Sequence, residues 1–432
     1  MSRLVYSLIL YLLTPLILLR LLWRSLRSPA YLRRWGERFA LASPPEEMSD
    51  QPPCLWIHAV SVGEVQAAIP LIHHLQQHRP QQPILVTTMT PTGSDRVKQE
   101  LGDAVYHCYL PYDLAGAMTR FVRRARPALL IIMETELWPN LIHACHRGGI
   151  PVMVVNARLS ERSAKGYGQV PGLTRSMLVQ LHTIAVQAEP DRERFIRLGA
   201  APGRVRVTGS LKFDIRVPDI AGHALPPLFQ SIIHSQRPVW IAASTRQGEE
   251  EKILVAFDEC LKARSDLLLV LVPRHPERFN SVARLCEQAG LKTLRRSQAA
   301  AMAGDEQVLL GDSMGEMWLY YALAQVAFVG GSLVPNGCHN VLEPAALGMP
   351  VLAGPSQFNF QTICQQLEEA GALKTVRDQQ ELARVLDDLL ANPGQRLAMG
   401  SAGRSVMDRN RGALERIAAL VDEALEGQAG PR

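Results

Sequence analysis

The stretch CLWIHAVSVGEVQAAIPLIHHL, residues 54–75, changes its period halfway along. CLWIHAV is apolar without alternation, the pattern of a strand covered on both faces of a sheet. VQAAIPLIHHL brings apolar residues back at helical spacing. A strand that passes directly into a helix is the repeating unit of a doubly wound parallel sheet. One carboxylate, Glu64, stands at the junction. Open α/β sheets place their ligands at the carboxyl ends of strands, so position alone makes Glu64 a candidate functional residue.

The same alternation runs through most of the 432 residues. WIHAV, ILVTTMT, ALLIIM, VMVVNA, TIAVQ and RVRVTG form a first series of strand-like runs, and VWIAAS, LLLVLVP, QVLLG, VAFVGGS and PVLAG form a second. Continuous Val, Ile and Leu runs separated by helical stretches argue for two parallel sheets, each covered by helices. Between the series, FDIRVPDIAGHALPPLF is Pro-rich and weakly periodic and reads as a hinge, and LASPPEEMSDQPP upstream reads as a linker. The expected organisation is an N-terminal anchor over residues 1–27, a first α/β domain over 52–218, a second over 228–402 and a C-terminal helix over 403–428. A cleft is expected between the two domains.

The anchor is read from LVYSLILYLLTPLILL, uncharged from Leu4 to Leu19 and followed by Arg20, Arg24, Arg27, Arg33, Arg34 and Arg38. At about 1.5 Å per residue this run falls short of a ~30 Å hydrocarbon core, so spanning requires Leu21, Leu22 and Trp23 as well; a monotopic anchor is the other geometry. The basic cluster follows the apolar run and no small-residue cleavage site comes after it, which argues against a secretory signal peptide. Basic flanks face the cytoplasm and anionic headgroups, so the bulk of the chain is expected on that side. Net charge is a modest +5, and no nucleic-acid partner is expected. The seven cysteines are odd in number, scattered and never paired as C-x-x-C, which suits reduced thiols rather than a disulfide frame or zinc site.

The second half carries the more specific chemistry. GDSMGEMWLYYALAQ puts Gly315, Glu316 and Met317 at the start of a helix just after a strand, where unpaired backbone N–H groups and the positive dipole end suit phosphate. VAFVGGSLVPNGCHNVLEPAALGMPVLAGP repeats the arrangement, with a helix opening near Asn340 and Glu343 about one turn in, where a carboxylate can accept both hydroxyls of a ribose. In VPRHPERF, Arg274 and His275 follow a strand, and Pro276 holds the preceding residue extended. Arginine there can grip a phosphate in a fork. Each piece has a plainer reading: a dipole partner for Glu316 or Glu343, and a surface pair for Arg274 and His275. ASTRQGEEE reads first as a capped helix start. The polar loops NARLSERSAKGY and TTMTPTGSDR are left without a role.

Taken in order, HAVSVGEV, TTMTPTGSDR, METELWPN, NARLSERSAKGY, GSLKFD, VPRHPERF, GDSMGEM and VGGSLVPNGCHNVLEPAALGMPV resemble the Kdo transferase family over nearly the whole chain. These are membrane-bound enzymes that move 3-deoxy-manno-octulosonic acid (Kdo) from CMP-Kdo onto a lipid A precursor. The resemblance implies an α/β fold of two facing Rossmann-like domains, the GT-B glycosyltransferase type, with an N-terminal membrane-anchoring helix. It implies acceptor binding in the first domain and CMP-sugar binding in the second, at the bacterial inner membrane. It makes Glu64 the proton acceptor and points to Glu136 and Lys212 as groups assisting the transition state. It assigns CMP contacts to Arg274, His275, Gly315, Glu316, Met317, Asn340, Val341, Leu342 and Glu343.

The chemistry of the groups agrees. A primary hydroxyl is a poor nucleophile at neutral pH, and a carboxylate in reach can take its proton as it attacks. A strand-end turn is expected to project Glu64 without burying its charge. Attack opposite CMP would invert configuration, and the leaving phosphate needs its charge received by Arg274 and the helix N-termini. Asp-x-Asp is absent, and no His/Cys cluster has metal-ligand spacing, so neither a metal nor another cofactor is expected. Glu134 and Glu136 would face the same way if their strand persisted past ALLIIM. The competing functions are a UDP-sugar transferase acting on a lipid-linked acceptor, a soluble sugar-nucleotide epimerase of the same architecture, and a catalytically silent tethered binding module.

Overall fold

The computed structural model describes residues 1–42, 44–45, 48, 51–215, 217–219 and 225–427. Parts of the expected linker (43, 46–47, 49–50) and hinge (216, 220–224) lie outside the described residues. The chain divides into two compact units, one formed by Met1–Asp214 with the C-terminal helix Ala413–Glu426, the other by Ile215–Asn410.

In the first unit seven strands, β1 (Cys54–His58), β2 (Ile84–Thr88), β3 (Tyr106–Tyr109), β4 (Pro127–Met133), β5 (Val152–Ala157), β6 (Thr183–Val186) and β7 (Val205–Val207), form one sheet in the order β3-β2-β1-β4-β5-β6-β7. Every pairing is parallel. The order reverses between β1 and β4, which makes their carboxyl ends the topological switch point. The quoted run CLWIH is buried at all five positions because both faces are covered. Trp56 enters one layer, its ring 4.9 Å from Phe121, while Leu55 and Ile57 enter the other beside Val65 and Leu71 of the following helix. At about 1.5–3 kcal/mol for each large apolar side chain removed from water, this two-sided burial fixes the strand and therefore the turn after it.

In the second unit β8 (Val239–Thr245), β9 (Leu268–Pro273), β10 (Thr293–Arg295), β11 (Val308–Leu310), β12 (Val326–Val329), β13 (Val351–Ala353) and β14 (Leu373–Thr375) form a parallel sheet in the order β10-β11-β9-β8-β12-β13-β14. Its switch point lies between β8 and β12.

The C-terminus corrects the expectation of one helix over 403–428, whose last residue lies outside the described ones. Two helices, Pro393–Asn410 and Ala413–Glu426, are separated at Gly412, whose φ of +87° is open to glycine without strain. Both oxygens of Asp214 accept from the break, Oδ1 from Gly412 N–H and Oδ2 from Leu414 N–H, each at 2.7 Å. The last helix then lays Leu414, Ile417, Val421 and Ala424 onto the β1–β4 layer of the first unit. Their spacing is that of an apolar helix stripe.

The N-terminal helix Arg3–Arg27 is long and apolar enough to cross a membrane. One side docks on the first unit through polar contacts: Ser7 Oγ donates to Asn140 Oδ1 at 2.9 Å, and Gly116 N–H donates to the Tyr11 hydroxyl at 3.0 Å. The other side exposes Leu4, Leu8, Leu12, Leu16, Leu19 and Trp23.

Candidate functional site

The first candidate region is the switch point of the first unit. Ser61 precedes the helix Val62–His78, and Glu64 lies in that helix's first turn. The carboxylate folds back over the strand-to-helix turn: Oε2 accepts the Val60 N–H at 2.8 Å and Oε1 the Ser61 hydroxyl at 2.8 Å. Glu64 is only 8% exposed. The expectation that the turn would leave its charge unburied is therefore wrong, because closing the capping turn draws the side chain in. Burial pushes the Glu64 carboxyl up to about 7, opposed by its two hydrogen bonds and reinforced by the charges of Glu136 and Glu134.

Glu134 and Glu136 come from the end of β4, the neighbouring strand at the switch point. β4 stops at Met133, and Glu134 turns into the left-handed region with φ +55°, so strand alternation does not carry across the pair. The Thr135 hydroxyl anchors the turn on the Arg158 carbonyl at 2.5 Å. Burial raises the Glu136 pKa, with the Trp138 indole opposing and Glu134 adding to the rise. Tyr167, from NARLSERSAKGY, stands near enough to feel the Glu136 charge.

Lys212 sits half-buried in the short turn Leu211–Phe213 that follows β7. Asn156, fully buried at the end of β5 with φ +53°, holds this turn by accepting the Leu211 N–H at 3.1 Å. Leu211 packs in the same apolar layer as Val65, one residue past Glu64. The first unit thus brings Glu64 and Glu136 together electrostatically and sets the Lys212 turn against the layer that supports Glu64.

The second candidate region belongs to the second unit. Arg274 follows β9 and donates its N–H to the Thr245 carbonyl at the end of β8, 3.1 Å away. Asn340 opens the short helix Leu342–Ala346: its Oδ1 accepts the Leu342 N–H and its Nδ2 donates to Glu343 Oε1, both at 3.1 Å. Val341 is the N-cap, so Glu343 lies in the first turn. Burial raises Glu343 to about 6, with Asn340 and the Arg274 charge holding it down. One Glu343 oxygen is engaged by Asn340, and a carboxylate has capacity for further donors such as sugar hydroxyls.

Gly315 has φ +83°, and Glu316 is the N-cap of Met317–Leu323. The Glu316 side chain is committed elsewhere: Arg296 grips it through two bonds of 2.8 and 3.1 Å, and Ser313 Oγ also donates to it. The part of this motif still open to a ligand is the backbone N–H edge of the helix start.

Three residues without an assigned role complete the second region. Arg246, after β8, donates through Nε to His339 Nε2 at 3.1 Å and through Nη1 to His275 Nε2. Burial lowers both imidazoles and Arg246 lowers them further, His339 to about 3, so both are neutral acceptors that orient the guanidinium. Glu249, fully buried, accepts four backbone N–H groups: Arg246 at 3.1, Gly331 at 2.7, Ser332 at 3.1 and Leu333 at 2.9 Å. This carboxylate ties the β8 and β12 loops together across the switch point. A Cβ on Gly330 would lie 2.7 Å from the Ser244 carbonyl oxygen, so glycine is required for the approach. ASTRQGEEE is thus more than a capped start: the helix begins at Glu250, and the Thr245 hydroxyl donates to Glu250 Oε1 at 2.9 Å instead of capping a backbone N–H. The legible signal was an arginine and a glycine immediately after a buried strand.

Among the described residues no group of three His, Cys, Asp or Glu side chains is arranged to hold a metal ion.

Residues 33–215 match the family described as 3-deoxy-D-manno-octulosonic-acid transferase (kdotransferase), and residues 246–406 match glycosyl transferases group 1. The chain is 43% identical to the 3-deoxy-D-manno-octulosonic acid transferase of Haemophilus influenzae, covering 99% of both chains. It is 36% identical to that of Bordetella pertussis, covering 98% of this chain and 100% of the other. In fold it is similar to a UDP-GlcNAc 2-epimerase from Neisseria meningitidis, with a TM-score of 0.57 at 15% identity, covering 86% of this chain and 100% of that one.

Proposed function

Because the chain belongs to the 3-deoxy-D-manno-octulosonic-acid transferase family, we propose that it uses Glu64 as the general base in transferring Kdo from CMP-Kdo to a lipid A precursor. The enzyme is a Kdo-transferring glycosyltransferase of lipopolysaccharide biosynthesis. The observation that carries the mechanistic reading is the buried Glu64 carboxylate at a switch point, raised to about 7, where a base is both available and strong at neutral pH.

Glu64 accepts the proton of the acceptor hydroxyl as its oxygen attacks the anomeric carbon of Kdo. Attack opposite the CMP leaving group inverts that centre. Glu136 and Lys212 assist in the transition state, Lys212 as a cation for the Kdo carboxylate or the departing phosphate. Arg274, His275 and the backbone at Gly315, Glu316 and Met317 receive CMP, Arg274 taking the phosphate. Asn340, Val341, Leu342 and Glu343 form the ribose side, with Glu343 accepting the hydroxyls. Arg246, held by two neutral histidines, adds a second guanidinium. With this much positive charge available, phosphate departure needs no metal ion.

The exposed leucine face of the Arg3–Arg27 helix supports attachment to the cytoplasmic face of the inner membrane. Its polar contacts with Asn140 and Gly116 favour a helix held against the first unit in one leaflet over one that crosses the bilayer.

Incubating the purified protein with CMP-Kdo and a tetraacylated lipid A precursor, then weighing the glycolipids by mass spectrometry, tests the reading. A mass gain of one or more Kdo residues is expected. An unmodified acceptor would refute it.

A further inference from the structure

The first unit has a concavity at the end of its sheet opposite Glu64. Its lining includes Pro53, ahead of β1, Pro127, the first residue of β4, and Ile150, ahead of β5, so it lies at the amino-terminal edge. Its volume is about 970 Å³, large enough for a headgroup with its glycerol. Arg3, Arg123, Arg147 and His143 contribute to the lining, and no Asp or Glu does. Arg123 and Arg147 are exposed and form no ion pair among the described residues.

A plainer account covers part of this cluster. Arg123 and Arg147 lie in the last turns of Ala115–Ala125 and Pro139–Arg147, where a cation complements the helix dipole. That account does not extend to Arg3, which lies in the first turn of its helix, where a cation is disfavoured. Arg3 is nevertheless fixed there by its bond to Asn140 Oδ1 at 3.1 Å. The buried acid Asp113 accepts the Asn140 and Leu141 N–H groups at 2.9 and 2.8 Å, and the Arg3 charge acts on it without lining up an ion pair with it among the described residues. His143 registers the positive field: burial lowers its pKa, and Arg3 and Arg147 lower it further. Arg3 also starts the helix whose next turns expose Leu4, Leu8 and Leu12, so the pocket is lined by the first residue of the helix that carries the apolar face.

We propose that this pocket binds the phosphate headgroup of an anionic glycerophospholipid from the leaflet that holds the N-terminal helix. The inference rests on the membrane reading of that helix. Arg123 and Arg147 pair with the phosphodiester, and Arg3 closes the wall beside the acyl chains. The lipid would fix how the first unit stands on the membrane without entering the chemistry at Glu64.

Native mass spectrometry of the full chain in a neutral detergent tests this, with phosphatidylglycerol and phosphatidylcholine as probes. The wild type is expected to retain one phosphatidylglycerol in preference to phosphatidylcholine. The double variant Arg123→Gln/Arg147→Gln should retain it about 30-fold more weakly, two basic contacts at roughly 1 kcal/mol each. It should transfer Kdo to detergent-dispersed acceptor at the wild-type rate, which shows that it is folded. Arg377→Gln/Arg384→Gln, an equal charge change on exposed arginines of the second unit, should retain the lipid normally. Equal loss in both double variants, or no preference over phosphatidylcholine, would overturn the proposal. Release by millimolar inorganic phosphate would make it an ion site, and release by the lipid A precursor an acceptor site; either result would also overturn it. Flotation of the wild type with phosphatidylcholine vesicles tests the membrane reading separately, because the detergent measurement needs no bilayer.

Discussion

Replacing Glu64 by Gln keeps the side-chain shape and removes the charge, and its consequences for catalysis and stability run in opposite directions. With the carboxyl at about 7, about 10% is ionised at pH 6 and about 90% at pH 8, so kcat/KM of the wild type should rise about tenfold per pH unit below neutrality and level off above it. Glu64→Gln should cut transfer by ~10²–10⁴ and abolish that ascending limb. For stability the sign is reversed. The folded-state pKa lies above the unfolded one of 4.5, so the native state binds more protons between those values and stability falls as pH rises through them. Between pH 5.5 and pH 8 the loss from this group is about 2 kcal/mol, which corresponds to roughly 4–8 °C in the melting temperature of a domain this size. Glu64→Gln should remove that slope. Differential scanning calorimetry at the two pH values and a radiolabelled-Kdo transfer assay across pH read both effects. A variant with wild-type turnover, or one that keeps the full pH dependence of stability, would refute the assignment of a buried base with a raised pKa.

Arg274→Ala should weaken CMP-Kdo binding about 10- to 100-fold, the loss of one charge-assisted phosphate contact, as measured by isothermal titration; unchanged affinity would remove Arg274 from the donor site. Glu249→Gln leaves buried N–H groups without their charged acceptor and should cost about 1–3 kcal/mol in thermal melts while also weakening donor binding; a stable variant with normal affinity would show that the carboxylate does not organise the two loops. Gly400→Ala drives a Cβ to 1.9 Å from the Gly348 carbonyl oxygen and should destabilise the second unit by about 1–3 kcal/mol, visible as a lowered melting temperature and with no direct effect on donor contacts. EDTA should leave the transfer rate unchanged; loss of activity restored by a divalent cation would overturn the metal-independent reading.

The strands that the sequence hid share one physical property. Tyr106–Tyr109, Thr293–Arg295 and Leu373–Thr375 are β3, β10 and β14, all at sheet edges. An edge strand has one neighbour and is less covered, so it lacks the continuous Val/Ile/Leu run that marks a central strand: β10 is only partly buried at all three positions, and Lys374 is exposed in β14. The central strands β1, β4 and β9, buried at every position except Ala128, were legible from periodicity alone. Site residues divide along a similar line. Glu64, Arg274 and Glu343 stand next to strong strand or helix signals, which gives them an address. His339 lies in the irregular VPNGCHN loop and acquires a role only when Arg246, distant in sequence, is placed against it. The burial of Glu64 was also hidden, because a capping turn's direction depends on the Val60 N–H and Ser61 hydroxyl that meet the carboxylate.

The two switch points handle charge in opposite ways, and each suits the group it would serve. At β1/β4 three carboxylates, Glu64, Glu134 and Glu136, lie close enough to repel one another, and that repulsion adds to burial in raising Glu64 and Glu136 against the hydrogen bonds each accepts. A lone exposed glutamate near 4.5 would be ionised at neutral pH but a weaker base, so burial, with the neighbouring carboxylates adding to it, is what gives Glu64 its proton affinity. At β8/β12 the crowding is cationic, and it is moderated by neutralising histidines. Burial, with the Arg246 charge adding to it, keeps both imidazoles unprotonated, so the site presents Arg246 as a guanidinium held by two neutral acceptors, beside Arg274, without two further charges to be satisfied when the site is empty. An incoming phosphate would relieve the part of the depression that comes from the neighbouring guanidinium charges. Donor binding should therefore take up protons in mildly acidic buffer, the opposite of simple displacement by a chloride-like anion that leaves the imidazoles neutral. Titration calorimetry of CMP in two buffers of different ionisation enthalpy at pH 6 would detect that uptake, and a heat independent of buffer would mean that the histidines serve only as rigid acceptors for Arg246.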